Sequence, residues 1–202
     1  MKRFVILLFI LLFGAASYAA SFYLEGRNYT IDVKSVKELK EQDVILQTDE
    51  FTCGAAALAT ILKEYGDITV SEGELLRQEK DLEKGKGLTL LQLKKLAEAR
   101  GFKAEGYQME LLNLFDFKSP MIMHVQLPVG GHYMVFKGIS KDRIFLADPG
   151  QGQTRMSLEE FARIWTGNVL AIEEFKGSKL TNKFKEPDLV QPELLGVKLG
   201  PR

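Results

Sequence analysis

The chain has 202 residues with 27 basic and 27 acidic side chains, and 46% of its residues are apolar. Balanced charge supplies no basic footprint for nucleic acid, and the apolar share is that of a globular protein rather than a disordered one. A single cysteine excludes an intramolecular disulfide.

Met1-Lys2-Arg3 is followed by an unbroken apolar run from Phe4 to Phe13 and by small residues at Ser17 and Ala19. This is the pattern of a secretory signal peptide, residues 1–19, with cleavage expected after Ala19 or Ala20. The apolar run is shorter than the ~20 residues that span a bilayer. The mature protein is therefore expected to be exported, periplasmic or beyond, with no stable membrane span. About 180 residues remain, enough for one domain with its own core. An unpaired thiol in an oxidising compartment asks for a function.

Phe22-Tyr23-Leu24 and Tyr29 to Val33 flank Glu25-Gly26-Arg27-Asn28 and read as a small hairpin covering an edge. Ser35 to Gln42 is a short charged helix, and Val44-Ile45-Leu46 leads into Gln47. From Cys53 the apolar positions Ala57, Leu58, Ile61, Leu62 and Tyr65 recur at helical spacing, with Thr52 as the N-cap and Gly66 as the stop. This is the expected buried central helix. Ser71-Glu72-Gly73-Glu74 has the pattern of a capping box and opens a second helix. Gln78 to Gly87 reads as a solvated loop. Thr89 caps a third helix that closes at Arg100-Gly101. Phe102 to Tyr107 reads as a strand and Met109 to Phe115 as a helical turn. Strand patterns then cover Met121 to Gln126, His132 to Lys137, Arg143 to Ala147 and Val169 to Phe175, with a short helix from Ser157 to Ile164. Helices followed by antiparallel strands predict an α+β domain over residues 20–175. Residues 176–202, with prolines and no steady periodicity, read as a flexible tail.

Three features carry chemistry. Cys53 as first helical residue would hold its sulfur over unpaired backbone N–H groups at the positive end of the helix dipole, which lowers a thiol's pKa. A turn centred on Ser140-Lys141 would place His132 opposite Pro149, within a residue of facing Asp148, so a base and its orienting carboxylate can meet at the open end of one hairpin. Gln47 lies one short loop before the cysteine. Taken singly, each has a plainer explanation: a buried apolar Cys, a core His, an Asp-Pro-Gly turn. The second histidine, His124, lies mid-strand without a nearby carboxylate in sequence and is assigned to the core.

Gln47, six residues before Cys53-Gly54, then Gly131-His132-Tyr133 opening a strand, then Asp148-Pro149 followed by Gly150, stand in an order and spacing that resembles the papain-like peptidases that process bacteriocins behind a double-glycine leader. The resemblance runs from about Gln42 to Phe175 and takes in Trp165-Thr166-Gly167. It implies a papain-like cysteine peptidase fold and a thiol peptidase without cofactor or metal. Cys53 would be the nucleophile, His132 the base and then the acid, Asp148 the residue that orients the imidazole, and Gln47 an oxyanion donor beside the Cys53 backbone N–H. Gly54 would leave room for the substrate. Exporter-linked members usually carry an acidic residue where this chain has Thr52, and they are fused to a membrane exporter. The signal peptide resembles instead the exported stand-alone members, some of which accompany secretion systems for functional amyloid. The expected partner is then a secreted or periplasmic polypeptide, together with secretion-system components. The alternative is a non-catalytic peptide-binding accessory module that uses the same cleft. Acyl transfer to an amine would need the same nucleophile.

Overall fold

The computed structural model describes the backbone of residues 18–24, 27–79 and 85–183, with side chains from Lys34 onward. Two strands, β1 (Tyr18–Leu24) and β2 (Arg27–Val33), form an antiparallel hairpin that is a unit by itself. It is longer than the sequence pattern indicated: pairing runs from Leu24↔Arg27 to Tyr18↔Val33. The expected signal-cleavage position falls inside β1, and the rest of the expected signal peptide lies outside the described residues.

The second unit holds the main domain. Its helices are α1 (Val36–Glu41), α2 (Cys53–Gly66), α3 (Glu72–Gln78), α4 (Leu90–Glu98) and α5 (Leu158–Ile164). Its strands are β3 (Phe102–Gln108), β4 (Met121–Leu127), β5 (Gly130–Ser140), β6 (Arg143–Asp148), β7 (Gly152–Ser157), β8 (Trp165–Phe175) and β9 (Ser178–Lys179). They make one antiparallel sheet in the order β3-β8-β4-β5-β6-β7, with β9 on β8.

Helix α2 is the hub, and every residue from Cys53 to Leu62 is buried. Its alanines let it lie close to β5, and Leu58, Ile61 and Leu62 join Leu75, Leu93, Ile122, Val135 and Leu170 in one core. The other sheet face is covered too. Met121, Met123, Met134, Phe136, Ile144 and Leu146 pack there with Phe161 of α5 and Leu114 of a 3-10 turn, Leu111–Phe115. Strands buried on both faces carry apolar residues at consecutive positions, which explains Met121-Ile122-Met123 and Met134-Val135-Phe136.

The α+β class and most elements are as the sequence indicates, with four differences. The helix α2 runs through Gly66, and Asp67 takes the left-handed closing position at φ 52°. The β5–β6 turn is centred on Lys141-Asp142, not Ser140-Lys141, since Ser140 pairs with Arg143; a bulge at Lys137 then shifts the register by one. Strand β7 gave no apolar alternation, because it is a polar edge strand that exists by pairing with β6 from Arg143↔Ser157 to Asp148↔Gly152. Finally, residues up to Lys183 of the supposed flexible tail run along the domain. Leu180 N–H donates to Glu173 O at 2.7 Å and Asn182 N–H to Lys118 O at 2.7 Å. The remainder of that tail lies outside the described residues.

Candidate active site

Three elements converge at one end of the sheet: the N-terminus of α2, the start of β5 and the end of β6. They bring Cys53, His132 and Asp148 together. His132 Nε2 lies 2.8 Å from Asp148 Oδ1. The Cys53 thiol stands beside the same imidazole and the backbone N–H groups of Tyr133 and Gly54, each of which favours its charged form. With Nε2 taken by the carboxylate, Nδ1 is the ring atom left for sulfur. Asp148 is 1% exposed, and its Oδ1 also accepts the Gly150 N–H at 2.7 Å. The Asp-Pro-Gly turn therefore points the carboxylate inward instead of merely capping backbone.

These contacts set the charges. Burial raises the Cys53 pKa, but the hydrogen bond from His132, the Tyr133 N–H and the positive imidazole outweigh it, so the thiol sits below its ordinary value. Burial alone would lower the His132 pKa; the hydrogen bonds to Asp148 and Cys53, with their negative charge, win and raise it to about 9. Both shifts favour the thiolate–imidazolium pair over the neutral one.

Thr52 precedes the helix but does not cap it. Its hydroxyl donates to Asp49 O at 2.9 Å, closing the turn before α2, and no side chain caps the helix start. The first N–H groups of α2 are thereby left for other partners, and the sulfur takes that of Gly54.

Gly54 also differs from expectation. A Cβ there would come within 3.0 Å of Tyr133 Cδ2 and 3.3 Å of Leu93 Cδ1, so the glycine makes room for the Tyr133 ring rather than for substrate. Tyr133 was not singled out by sequence, yet its backbone N–H reaches the sulfur and its ring clamps the helix start.

Gln47 lies beside this group. Its backbone N–H donates to Pro149 O at 2.8 Å, and its side-chain Nε2 donates to Asp49 O at 2.9 Å. Oε1 is buried without a hydrogen-bond partner among the described residues. One of the two amide protons is thus held by the loop, leaving the other. Gln47, Phe51, Gly87, Leu127, Gly130 and His132 line a cleft of about 560 Å³, a size ordinary for ligand sites.

His124 stands apart, with Nδ1 3.0 Å from Thr166 Oγ1 and its ring edge-on to Tyr133. It is half-buried, and the structure gives it no contact with Cys53 or Asp148. Among the described residues, no group of three or more His, Cys, Asp or Glu side chains is placed to hold a metal ion. No helix among them is long and apolar enough to cross a membrane.

A model of the peptidase C39 family matches residues 41–176. The chain is 34% identical over 145 residues to the probable functional amyloid protease FapD of Pseudomonas aeruginosa, covering 69% of this chain and 64% of that protein. It is 32% identical over 180 residues to the FapD of Pseudomonas fluorescens, covering 85% and 80%. The solved structure of a double glycine motif protease from an AMS/PCAT transporter, in complex with the leader peptide, superposes with a TM-score of 0.56 at 30% identity, over 63% of this chain and 88% of that one. The fold is accordingly that of the papain-like C39 domains. Matched over residues 41–176 by the family model and over 63% of its length by fold, with its one cysteine at the head of the central helix, the chain belongs to the peptidase C39 family and is a cysteine peptidase.

Proposed function

We propose that the protein is an exported endopeptidase that cuts a secreted or periplasmic polypeptide, with Cys53 as nucleophile. The observation that carries this reading is the meeting of Cys53 with the His132 imidazole at the head of α2, the ring being held at 2.8 Å by Asp148. The Cys53 thiolate attacks the scissile carbonyl, forming a carbon–sulfur bond as the carbonyl electrons move onto oxygen. The second Gln47 amide proton and the Cys53 backbone N–H hold that oxyanion. Removing one such donor typically costs about 3 kcal/mol. Collapse breaks the carbon–nitrogen bond, and the His132 imidazolium gives its proton to the leaving amine. Water then attacks the thioester, His132 takes its proton, and the acid product leaves as the thiolate re-forms beside the imidazolium. Asp148 keeps the ring oriented throughout.

Export rests on the pattern of Met1 to Ala20, and the substrate class on that location and on the names of the FapD relatives. Secretion-system components are the partners this reading implies. The test of the nucleophile is the rate of iodoacetamide alkylation against pH, in the wild type and in His132→Ala. The wild type should stay reactive well below the ~8.5 of a free thiol and lose that reactivity without the imidazole. A thiol that titrates like free cysteine in both proteins would sink the proposal. Cell fractionation with N-terminal sequencing checks export, and a full-length cytoplasmic product would overturn it.

A further inference from the structure

The arm that carries Gln47, residues 44–48, belongs to no strand, yet it is tied in three directions. Ile45 N–H donates to Thr60 Oγ1 at 2.9 Å, and Gln47 N–H donates to Pro149 O at 2.8 Å. Thr48 N–H donates to Glu72 Oε1 at 2.9 Å, and the Thr48 hydroxyl donates to the same oxygen. Glu72 is the first residue of α3 and only 7% exposed; its other oxygen is buried without a hydrogen-bond partner among the described residues. No cation pairs with it there. Taking a carboxylate out of water with half its acceptors empty costs free energy. The helix does not need that arrangement, since Ser71 Oγ already accepts the Glu74 N–H at 3.2 Å. The only described groups the carboxylate serves are those of Thr48, next to Gln47.

We propose that Glu72 is a positioning residue for Gln47. By gripping both donors of Thr48 from the α3 side, while Pro149 holds the Gln47 N–H from the β6 side, it fixes the peptide between residues 47 and 48. That peptide sets the direction of the Gln47 amide. Glu72 touches neither the nucleophile nor the cleft and acts through the loop. The inference rests on the Gln47 oxyanion role proposed above.

The test compares two reactions of the full protein. Iodoacetamide alkylation displaces iodide and forms no oxyanion, so it reads the thiolate alone. Acylation by p-nitrophenyl acetate forms the thioester through a tetrahedral oxyanion, with p-nitrophenolate leaving on its electron pair, so it reads thiolate and oxyanion donors together. Gln47→Ala should slow acylation about 100-fold and leave alkylation unchanged. Glu72→Leu, which fills the same space, should slow acylation about tenfold with alkylation unchanged, and Glu72→Gln, which keeps an acceptor for Thr48, should lose less than about threefold. In the Gln47→Ala background, Glu72→Leu should have no further effect. Thr48→Val, at an exposed position, should slow acylation about threefold and keeps the test open if Glu72→Leu does not fold.

An equal loss of alkylation and acylation in Glu72→Leu, or an undiminished effect in the Gln47→Ala background, would make Glu72 merely structural and overturn the inference. No effect of Gln47→Ala on acylation would overturn the oxyanion reading and this inference with it. A loss in Gln47→Ala with none in Glu72→Leu and Thr48→Val would overturn the positioning role alone.

Discussion

His132 Nε2 sits 2.8 Å from an Asp148 oxygen that is almost wholly shielded from water. The carboxylate can contribute to this contact in two ways: by direction, holding the imidazole with its other nitrogen toward sulfur, and by charge, favouring the imidazolium. The two can be separated. Asp148→Asn preserves an acceptor for Nε2 but removes the charge, so it should keep alkylation at neutral pH within about tenfold of the wild type. The alkaline limit of peptide cleavage should shift downward, because an attraction that raises the His132 pKa is gone. Asp148→Ala loses both and should fall by a further factor of ten or more. Equal losses in the two variants would show that charge, not direction, dominates.

The pH dependence of peptide cleavage follows from the same contacts. In the proposed mechanism the active pair needs sulfur deprotonated and the imidazole protonated. Lowering the thiol pKa extends the acid side of the window below the ordinary thiol range, and raising that of His132 extends the alkaline side to about 9. Above that value the ring loses the proton it must give to the leaving amine, so cleavage should decline even though the thiolate persists. Alkylation, which needs no acid, should not decline there. Measuring both rates from acid to alkaline pH checks this; a parallel decline near 9 would contradict the assigned role of His132.

A methyl group at position 54 tests the clamp on the helix start. In Gly54→Ala the new Cβ would stand 3.0 Å from the Tyr133 ring and 3.3 Å from Leu93, with both neighbours in the core or packed against it. Overpacking of this kind costs about 1–3 kcal/mol. Because the Tyr133 N–H also reaches the sulfur, relief of the clash by moving β5 would weaken that bond and raise the thiol pKa toward its ordinary value. Urea unfolding with alkylation titration measures both effects. Unchanged stability and an unchanged titration would show that the ring yields freely.

The sequence exposes α2 well, because its apolar periodicity starts at Cys53 and its alanines mark a helix packed on all sides. It exposes α4 equally well: Thr89 and Gln92 form the reciprocal cap. The meeting of His132 with Asp148 was legible despite two one-residue shifts in the hairpin, since the contact is diagonal and tolerates them. The inward turn of Glu72 was not legible, because an acidic residue after Ser71 looks like ordinary helix-start chemistry. Nor was the aim of the Gln47 amide, which depends on where Asp49 O, Pro149 O and Glu72 fall in three dimensions. Strand β7 escaped for a similar reason: its pairing partner, rather than its own pattern, makes it a strand.

The second histidine supplies the control for all of this. His124 is close enough to feel the charge of His132: burial first, and then that positive neighbour, lower its pKa and disfavour its charged form. Its Nδ1 meets Thr166 Oγ1, whose hydroxyl donates to the His124 carbonyl, and its ring stands edge-on to Tyr133 at 5.2 Å between centroids. Gly131 is held against the other nitrogen, where a Cβ would come within 2.6 Å. The ring therefore packs β4 against the Tyr133 side of β5. His124→Leu should cost roughly 1 kcal/mol in urea unfolding through the lost hydrogen bond. It should leave the pH profile of Cys53 alkylation where it was, whereas His132→Ala erases the low-pH reactivity. A His124→Leu protein that lost that reactivity while still folded would reassign the imidazole that activates the thiol.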